Sequence, residues 1–269
     1  MPDGAGPGGR PPGTPRSQGG CPPPRTPPGI LVAVAHGSAD PRAAATIAEL
    51  AAAARERSPG LDLRTAFLGH APPSLPQVLG TIEAGRQVTV LPLLLTAAYH
   101  SKADIPRMLA RTPRPRVSYG ATLGPHPLLL NAMERRLAEA DPGSLEDPAR
   151  TAVVLAAAGS SDPEANATIA RMAAQWQART RWFAVRPAYA SAAEPSPAAA
   201  VAGLLRDGAP RVVVATYLLA PGLFADRIRQ AALAAGAAAV SPALGACAEV
   251  AEVLLDRFAA AGSTRRTAA

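Results

Sequence analysis

The chain has 269 residues, 48% apolar, 17% charged and 4% aromatic, with a formal net charge of +7. That length allows one large domain or two of about 120–130 residues. The charge is a poor case for nucleic-acid binding: Arg10, Arg16 and Arg25 against Asp3 put +2 in the first 29 residues, Arg265 and Arg266 add +2, and the +3 left on the body forms no basic block interleaved with aromatics.

Residues 1–29 hold ten Pro and eight Gly and are expected to be a disordered tail. Order is expected from Ile30. The pattern then predicts strand Ile30–Ala35, helix Pro41–Arg57, strand Leu61–Leu68, helix Ser74–Ala84, strand Gln87–Leu95, helix Ala103–Arg111, strand Arg116–Thr122 and helix Pro127–Ala140. Asp40 before Pro41 is an N-cap followed by Pro at the first helical position. Asp141–Arg150 is polar and Pro-containing, and reads as a linker. The second half predicts strand Ala152–Ala157, helix Pro163–Ala178, strand Arg181–Pro187, helix Pro197–Arg206, strand Arg211–Leu219, helix Phe224–Ala235, strand Ala237–Ser241 and helix Ala246–Ala260. The strands are continuous apolar runs, as expected of a parallel sheet buried on both faces.

The two halves are copies. Val34–Pro41 aligns with Ala156–Pro163 at an offset of 122, as do Ala45–Ala48 with Ala167–Ala170 and Pro73-Ser74 with Pro195-Ser196. A two-residue drift then brings Leu94-Leu95 onto Leu218-Leu219, and Leu123-Gly124 meets Leu244-Gly245. The expected architecture is α/β: two homologous three-layer αβα domains, each with a mainly four-stranded parallel sheet in flavodoxin-like order. The boundaries are 30–145 for the domain carrying the histidines and 146–262 for the one lacking them. Residues 263–269 are expected to be a second disordered tail.

No apolar run reaches 18 residues, so no membrane span is expected. The N-terminus has no apolar h-region of a secretory signal. Cys21 and Cys247 make neither a disulfide framework nor a zinc pair, which fits a reducing cytoplasm.

All four histidines, His36, His70, His100 and His126, fall in the first half. His36 follows the first strand and His100 the third. In an open parallel sheet of order 2-1-3-4 those strands are neighbours, and their carboxyl ends flank the crevice where ligands bind. The matched positions in the second half are Ala158 and, with the drift, Phe224. Two neutral imidazoles can bind a borderline divalent metal and accept protons near neutral pH. A permanent structural site would call for three or four ligands, so two imply a weak, open site. His126 either lines this site or caps the fourth helix. No dinucleotide fingerprint follows a strand, no phosphate loop occurs, and Ser38 and Ser160 are not in nucleophile elbows. No Arg precedes His36-Gly37, which leaves a phosphohistidine phosphatase unsupported.

The segments His36-Gly37-Ser38-Ala39-Asp40-Pro41, Pro73-Ser74-Leu75-Pro76, and Leu93-Leu94-Leu95 through Tyr99-His100-Ser101-Lys102-Ala103-Asp104-Ile105-Pro106 resemble the class II sirohydrochlorin chelatases over about residues 30–262. The resemblance implies ATP-independent insertion of Fe²⁺ or Co²⁺, as substrate, into the metal-free tetrapyrrole sirohydrochlorin, with no nucleotide. It serves siroheme or cobalamin synthesis and implies a cleft between two copies, which a fused pair can complete as a monomer. The family's two histidines, ligands and proton acceptors for the metal, carry over onto His36 and His100. Where the family often has an acidic residue after the second strand, this chain has Gly69 beside His70. Either His70 substitutes as third ligand or base, or the carboxylate is absent. On the tetrapyrrole side the candidates are Ser38, Arg42, Lys102 and His126; cations at the mouth would help capture a polyanion. The alternatives are a non-catalytic tetrapyrrole or metal carrier on the same fold, and an unrelated α/β enzyme for a small anion.

Overall fold

In a computed structural model, residues 29–97, 103–111, 116–144 and 146–267 are described. The first half comprises β1 (Ile30–Ala35), α1 (Pro41–Arg57), β2 (Asp62–Phe67), α2 (Leu75–Gly80), β3 (Gln87–Pro92), α3 (Ile105–Ala110), β4 (Arg116–Tyr119) and α4 (Pro127–Ala140). The second comprises β5 (Thr151–Ala157), α5 (Pro163–Arg179), β6 (Ala184–Tyr189), α6 (Pro197–Arg206), β7 (Arg211–Tyr217), α7 (Leu223–Ala234), β8 (Ala239–Val240) and α8 (Ala248–Thr267). Each half holds one all-parallel sheet, in the orders β2-β1-β3-β4 and β6-β5-β7-β8, as the repeat predicts.

Central β1 and β5 are buried along their whole length because both faces are covered. Alternation sorts the side chains. Ile30, Val32 and Val34 join Leu75, Leu79 and Ile105 on the outer face of the first sheet. Leu31, Ala33 and Ala35 face inward, into a core shared with Val153, Leu155 and Ala157 of the second sheet. The Asp40-Pro41 start forms as expected: the Asp40 carboxylate accepts from the Arg42 N–H at 2.9 Å, and Asp162 repeats this with Glu164 at 3.0 Å.

The last helix of each half packs on the other half. α4 lies against β7 and β8, while α8 lies against β3 and α1, and the two helices touch. A pair of arginines fastens the exchange. Arg136 on α4 donates to the Leu244 carbonyl at 2.8 Å, and Arg257 on α8 donates to the carbonyls of Leu123 at 3.1 Å and Pro125 at 2.8 Å. Leu123 and Leu244 are matched positions of the repeat, so the arrangement is pseudo-twofold.

Several boundaries differ from expectation. The strand expected over Arg181–Pro187 is β6, Ala184–Tyr189. Its first residues are used otherwise: Trp182 is buried in the core and the Phe183 N–H donates to the carbonyls of Pro148 and Thr151. Pro187 is tolerated inside β6 because β6 is an edge strand. Of the stretch 263–269 expected to be a disordered tail, residues 263–267 continue α8, which ends at Thr267, and 268–269 lie outside the described residues. The linker is not loose. It forms two single 3₁₀ turns, Pro142–Ser144 and Pro148–Arg150, and Asp141 is ion-paired with Arg211. The tail expected over 1–29 lies, but for Gly29, outside the described residues. Among the described residues no helix is long and apolar enough to cross a membrane.

Candidate functional site

A cavity of about 630 Å³ opens where the carboxyl ends of β1, β3, β5 and β7 face one another across the two halves. Its first wall is built by the loop after β1, by His70, and by Leu93–Thr96 after β3. Its second wall is Ala157–Ser160 after β5 and Leu218–Ala225 leading into α7. The site therefore lies at the switch point of each sheet, as strand order dictates.

The loops that carry the histidines are tightly built. The Leu68 and Gly69 N–H groups extend the β1–β2 ladder to the carbonyls of Ala35 and His36. Gly37 adopts φ +87, and a Cβ there would stand 1.8 Å from the Gly69 carbonyl oxygen. Only glycine permits that approach. His70 then takes a left-handed φ of +63, rare for a non-glycine residue. The second half repeats all of this. Gly159 has φ +83 with Ser191 oxygen 1.9 Å from its would-be Cβ, and Ala192, the match of His70, has φ +57. The unusual backbone is thus a property of the fold, and the first half puts an imidazole on it. The rings of His36 and His70 lie stacked, 6.5 Å between centroids and 18° between planes. His36 Nδ1 is 3.1 Å from the Gly37 carbonyl.

The second wall is largely apolar. Ala158 stands where the first half has His36, and Leu223 and Phe224 leave 62% and 40% of their surface exposed at the rim. Asn166 stiffens this wall, accepting from the Ser160 N–H at 3.0 Å and donating to its carbonyl at 2.7 Å. The matched Ala44 cannot do so. At the base, Tyr217 crosses between halves. Its buried hydroxyl donates to the Leu95 carbonyl at 3.1 Å, and burial pushes its ionisation far above the ordinary value.

The structure brings together His36, His70 and Ser38. Ser38 lines the cavity and its Oγ accepts from the Asp40 N–H at 3.1 Å. Arg42 lies at the mouth, where it is held by carboxylates of both halves: Asp40 at 2.6 Å and Asp226, in the first turn of α7, at 2.7 Å. Hydrogen bonds from Arg42 hold the Asp40 carboxyl below its usual range. Of the two readings of His126 the structure shows the helix cap, and His126 is not among the residues lining the cavity. Its Nδ1 accepts from the Leu128 N–H at 3.3 Å, and its Nε2 is 3.8 Å from Asp256. Burial, then the charge of Arg257, lowers its pKa, opposed by Asp256 and Glu252. His100 and Lys102 lie outside the described residues. Among the described residues no group of three or more His, Cys, Asp or Glu side chains could hold a metal ion.

Sequence reasoning missed Asp226 and Tyr217. A signal for Asp226 was present. Past the drift, Asp226 matches Lys102, and Arg42 matches Glu164, so the charges at paired positions are inverted between the copies. Tyr217 matches Leu93, and nothing in the repeat marks its hydroxyl as bridging the halves.

The CbiX family model matches twice, over residues 30–140 and 152–261. A sirohydrochlorin cobaltochelatase of Priestia megaterium is 31% identical over 175 residues, 62% of this chain and 57% of the relative. A sirohydrochlorin ferrochelatase of Bacillus subtilis (strain 168) is 30% identical over 152 residues, 55% of this chain and 57% of the relative. The matched stretch thus covers little more than half the length of either. The solved structure of SirB from Bacillus subtilis with Fe³⁺ shares the fold with a TM-score of 0.74 at 23% identity, covering 89% of this chain and 98% of that one. A structure of CbiX, described as the terminal enzyme of siroheme biosynthesis in denitrifying bacteria, gives 0.66 at 22% identity over 86% of this chain and 98% of that one. With one family model fitting each half in turn, the chain belongs to the CbiX family.

Proposed function

We propose that the protein inserts a divalent metal, Fe²⁺ or Co²⁺, into sirohydrochlorin without consuming a nucleotide. The observation that carries this reading is His36 at the carboxyl end of β1, stacked on His70 in a cavity walled on its far side by Ala and Leu. Insertion exchanges one M²⁺ for the two pyrrole N–H protons. His36 and His100 serve as ligands to the incoming metal and as acceptors for those protons, and His70 supplies the third donor in place of a carboxylate. Few donors suit the task, because a metal held as in a structural site would not transfer. The apolar second wall takes the face of the macrocycle, whose carboxylates stay at the polar mouth with Ser38 and Arg42, and Lys102 is a further cation for their capture. The cavity lies between the two halves of one chain, so a monomer can be the working unit. Relatives named for cobalt and for iron support both metals.

The test is anaerobic insertion of Co²⁺ or Fe²⁺ into sirohydrochlorin, followed by absorbance. The wild-type protein is expected to exceed the spontaneous rate, and His36→Ala to fall to that rate with its circular dichroism unchanged. Saturable binding without acceleration would replace the enzyme by a tetrapyrrole carrier. A full rate in His36→Ala would overturn the assignment of the ligand.

A further inference from the structure

Arg42 does not stand free at the cavity mouth. Its guanidinium donates through Nε to both oxygens of Asp40 at 3.0 Å and through one terminal nitrogen to Asp40 at 2.6 Å and Asp226 at 2.7 Å. Asp40 and Arg42 stand directly beside the lining residues Ala39 and Ala43 of the first half. Asp226 directly follows the lining residues Leu223–Ala225 of the second. The lips are close here: a Cβ on Gly222 would lie 3.9 Å from Ser38 Oγ and 4.0 Å from an Asp40 carboxylate oxygen. The three side chains therefore form an ionic strap across the mouth. Asp40 is the inner anchor, with 20% of its side chain exposed and the additional task of capping α1, whereas Asp226 is 56% exposed and, among the described residues, accepts only from Arg42.

The two ends of the strap are unequal, and the weaker end is the one facing the second half. We propose that Asp226 is a specificity-determining residue that holds the place on Arg42 which a substrate carboxylate takes when a polycarboxylate tetrapyrrole enters. The inference rests on the function proposed above. The exchange replaces one carboxylate by another on the same nitrogen, so the guanidinium keeps its charge partner throughout. A ligand without peripheral carboxylates cannot make the exchange and must break the strap with nothing in return. Asp226 thus favours acidic macrocycles at the mouth while the apolar wall accepts any flat one. An exposed pair of this kind is weak enough to be displaced, and salt screens it.

The experiment measures equilibrium binding of metal-free sirohydrochlorin, by its absorbance and fluorescence, to wild type, Asp226→Asn, Arg42→Gln and the double variant at low and high salt. Asp226→Asn is expected to tighten binding about two- to fivefold at low salt, and Arg42→Gln to weaken it by a similar factor. In the Arg42→Gln background the Asp226 substitution should have no further effect, and high salt should shrink both changes. A strap that merely joins the halves would make both single variants weaken binding, which overturns the proposal. A gain from Asp226→Asn that persists without Arg42 also overturns it, since it would reflect only the removal of a negative charge. Wild-type protein that binds no sirohydrochlorin overturns the proposed function itself, a result distinct from the other two.

Discussion

Gly37 and Gly159 are matched positions with nearly the same backbone and the same close approach, but only Gly37 adjoins a histidine loop. Replacing either by Ala places a Cβ 1.8 or 1.9 Å from a carbonyl oxygen, against a practical limit of 3.0 Å, so that carbonyl must retreat by more than 1 Å. The left-handed backbone adds about 1–2 kcal/mol for a residue with a Cβ, and overpacking of this kind about 1–3 kcal/mol. Each variant should therefore lose about 2–5 kcal/mol, or about 4–20 °C in melting temperature at 2–4 °C per kcal/mol for a chain of this size. The functional outcomes should part. In Gly37→Ala the displaced segment is Gly69, flanked by His70, and the substituted residue is flanked by His36, so both imidazoles move by the order of 1 Å. Misplacement on that scale costs about 100-fold in turnover. In Gly159→Ala the same displacement moves Ala158 and Ala192, and the loss of insertion rate should be smaller. Thermal melts and the absorbance assay, run well below both melting points, measure the two effects separately. The reasoning is refuted if either variant melts with the wild type, or if Gly159→Ala loses as much activity as Gly37→Ala.

Three further outcomes follow from the same geometry. Because burial lowers the folded-state pKa of His126 below its ordinary 6.5, the unfolded chain binds its proton first as pH falls, so its contribution to stability is lost below about pH 6.5. His126→Asn, which keeps a capping acceptor but does not titrate, should show a shallower loss of stability than wild type between pH 7 and pH 5 in urea titrations; parallel curves would contradict this. Arg136→Met and Arg257→Met each remove charged donors from loop carbonyls and should cost about 1–3 kcal/mol by urea denaturation. Tyr217→Phe removes a buried hydroxyl from the Leu95 carbonyl and should cost about 1–2 kcal/mol, and an unchanged midpoint would mean that the contact carries no weight.

Much of the fold was legible because local and global signals agree. The ends of α1, α4 and α6 fall where Asp, His or Ser precedes a Pro at the first helical position, since that pair sets both a cap and a fixed φ. Continuous apolar runs mark parallel sheets covered on both faces, and the repeat implies that the two sheets share one strand order. β6 was misplaced because Trp182 and Phe183 have strand-like propensity but are used by the core and by the linker turns. The exchange of α4 and α8 was not legible at all: an amphipathic stripe says that a helix is covered, not by which sheet. At the site, the comparison of copies pairs His36 with Ala158, and both line the cavity. It could not tell that Arg42 is bound by a carboxylate of the other half, because ion pairs across the cleft depend on side-chain reach rather than on spacing.

The exchange of terminal helices also bears on how the chain came to work as one body. Cut between α4 and β5, each piece would keep its own four strands but carry a helix shaped to cover the other piece's sheet. Neither piece could hide its inner face alone, so each would need a mate with which to trade helices. Two separate copies could make that trade at sufficient concentration. The covalent joint supplies the same encounter internally, at an effective concentration that no dilution removes. Unfolding should accordingly be a single event for the whole molecule. The half without imidazoles remains indispensable, as the surface that finishes its neighbour's core.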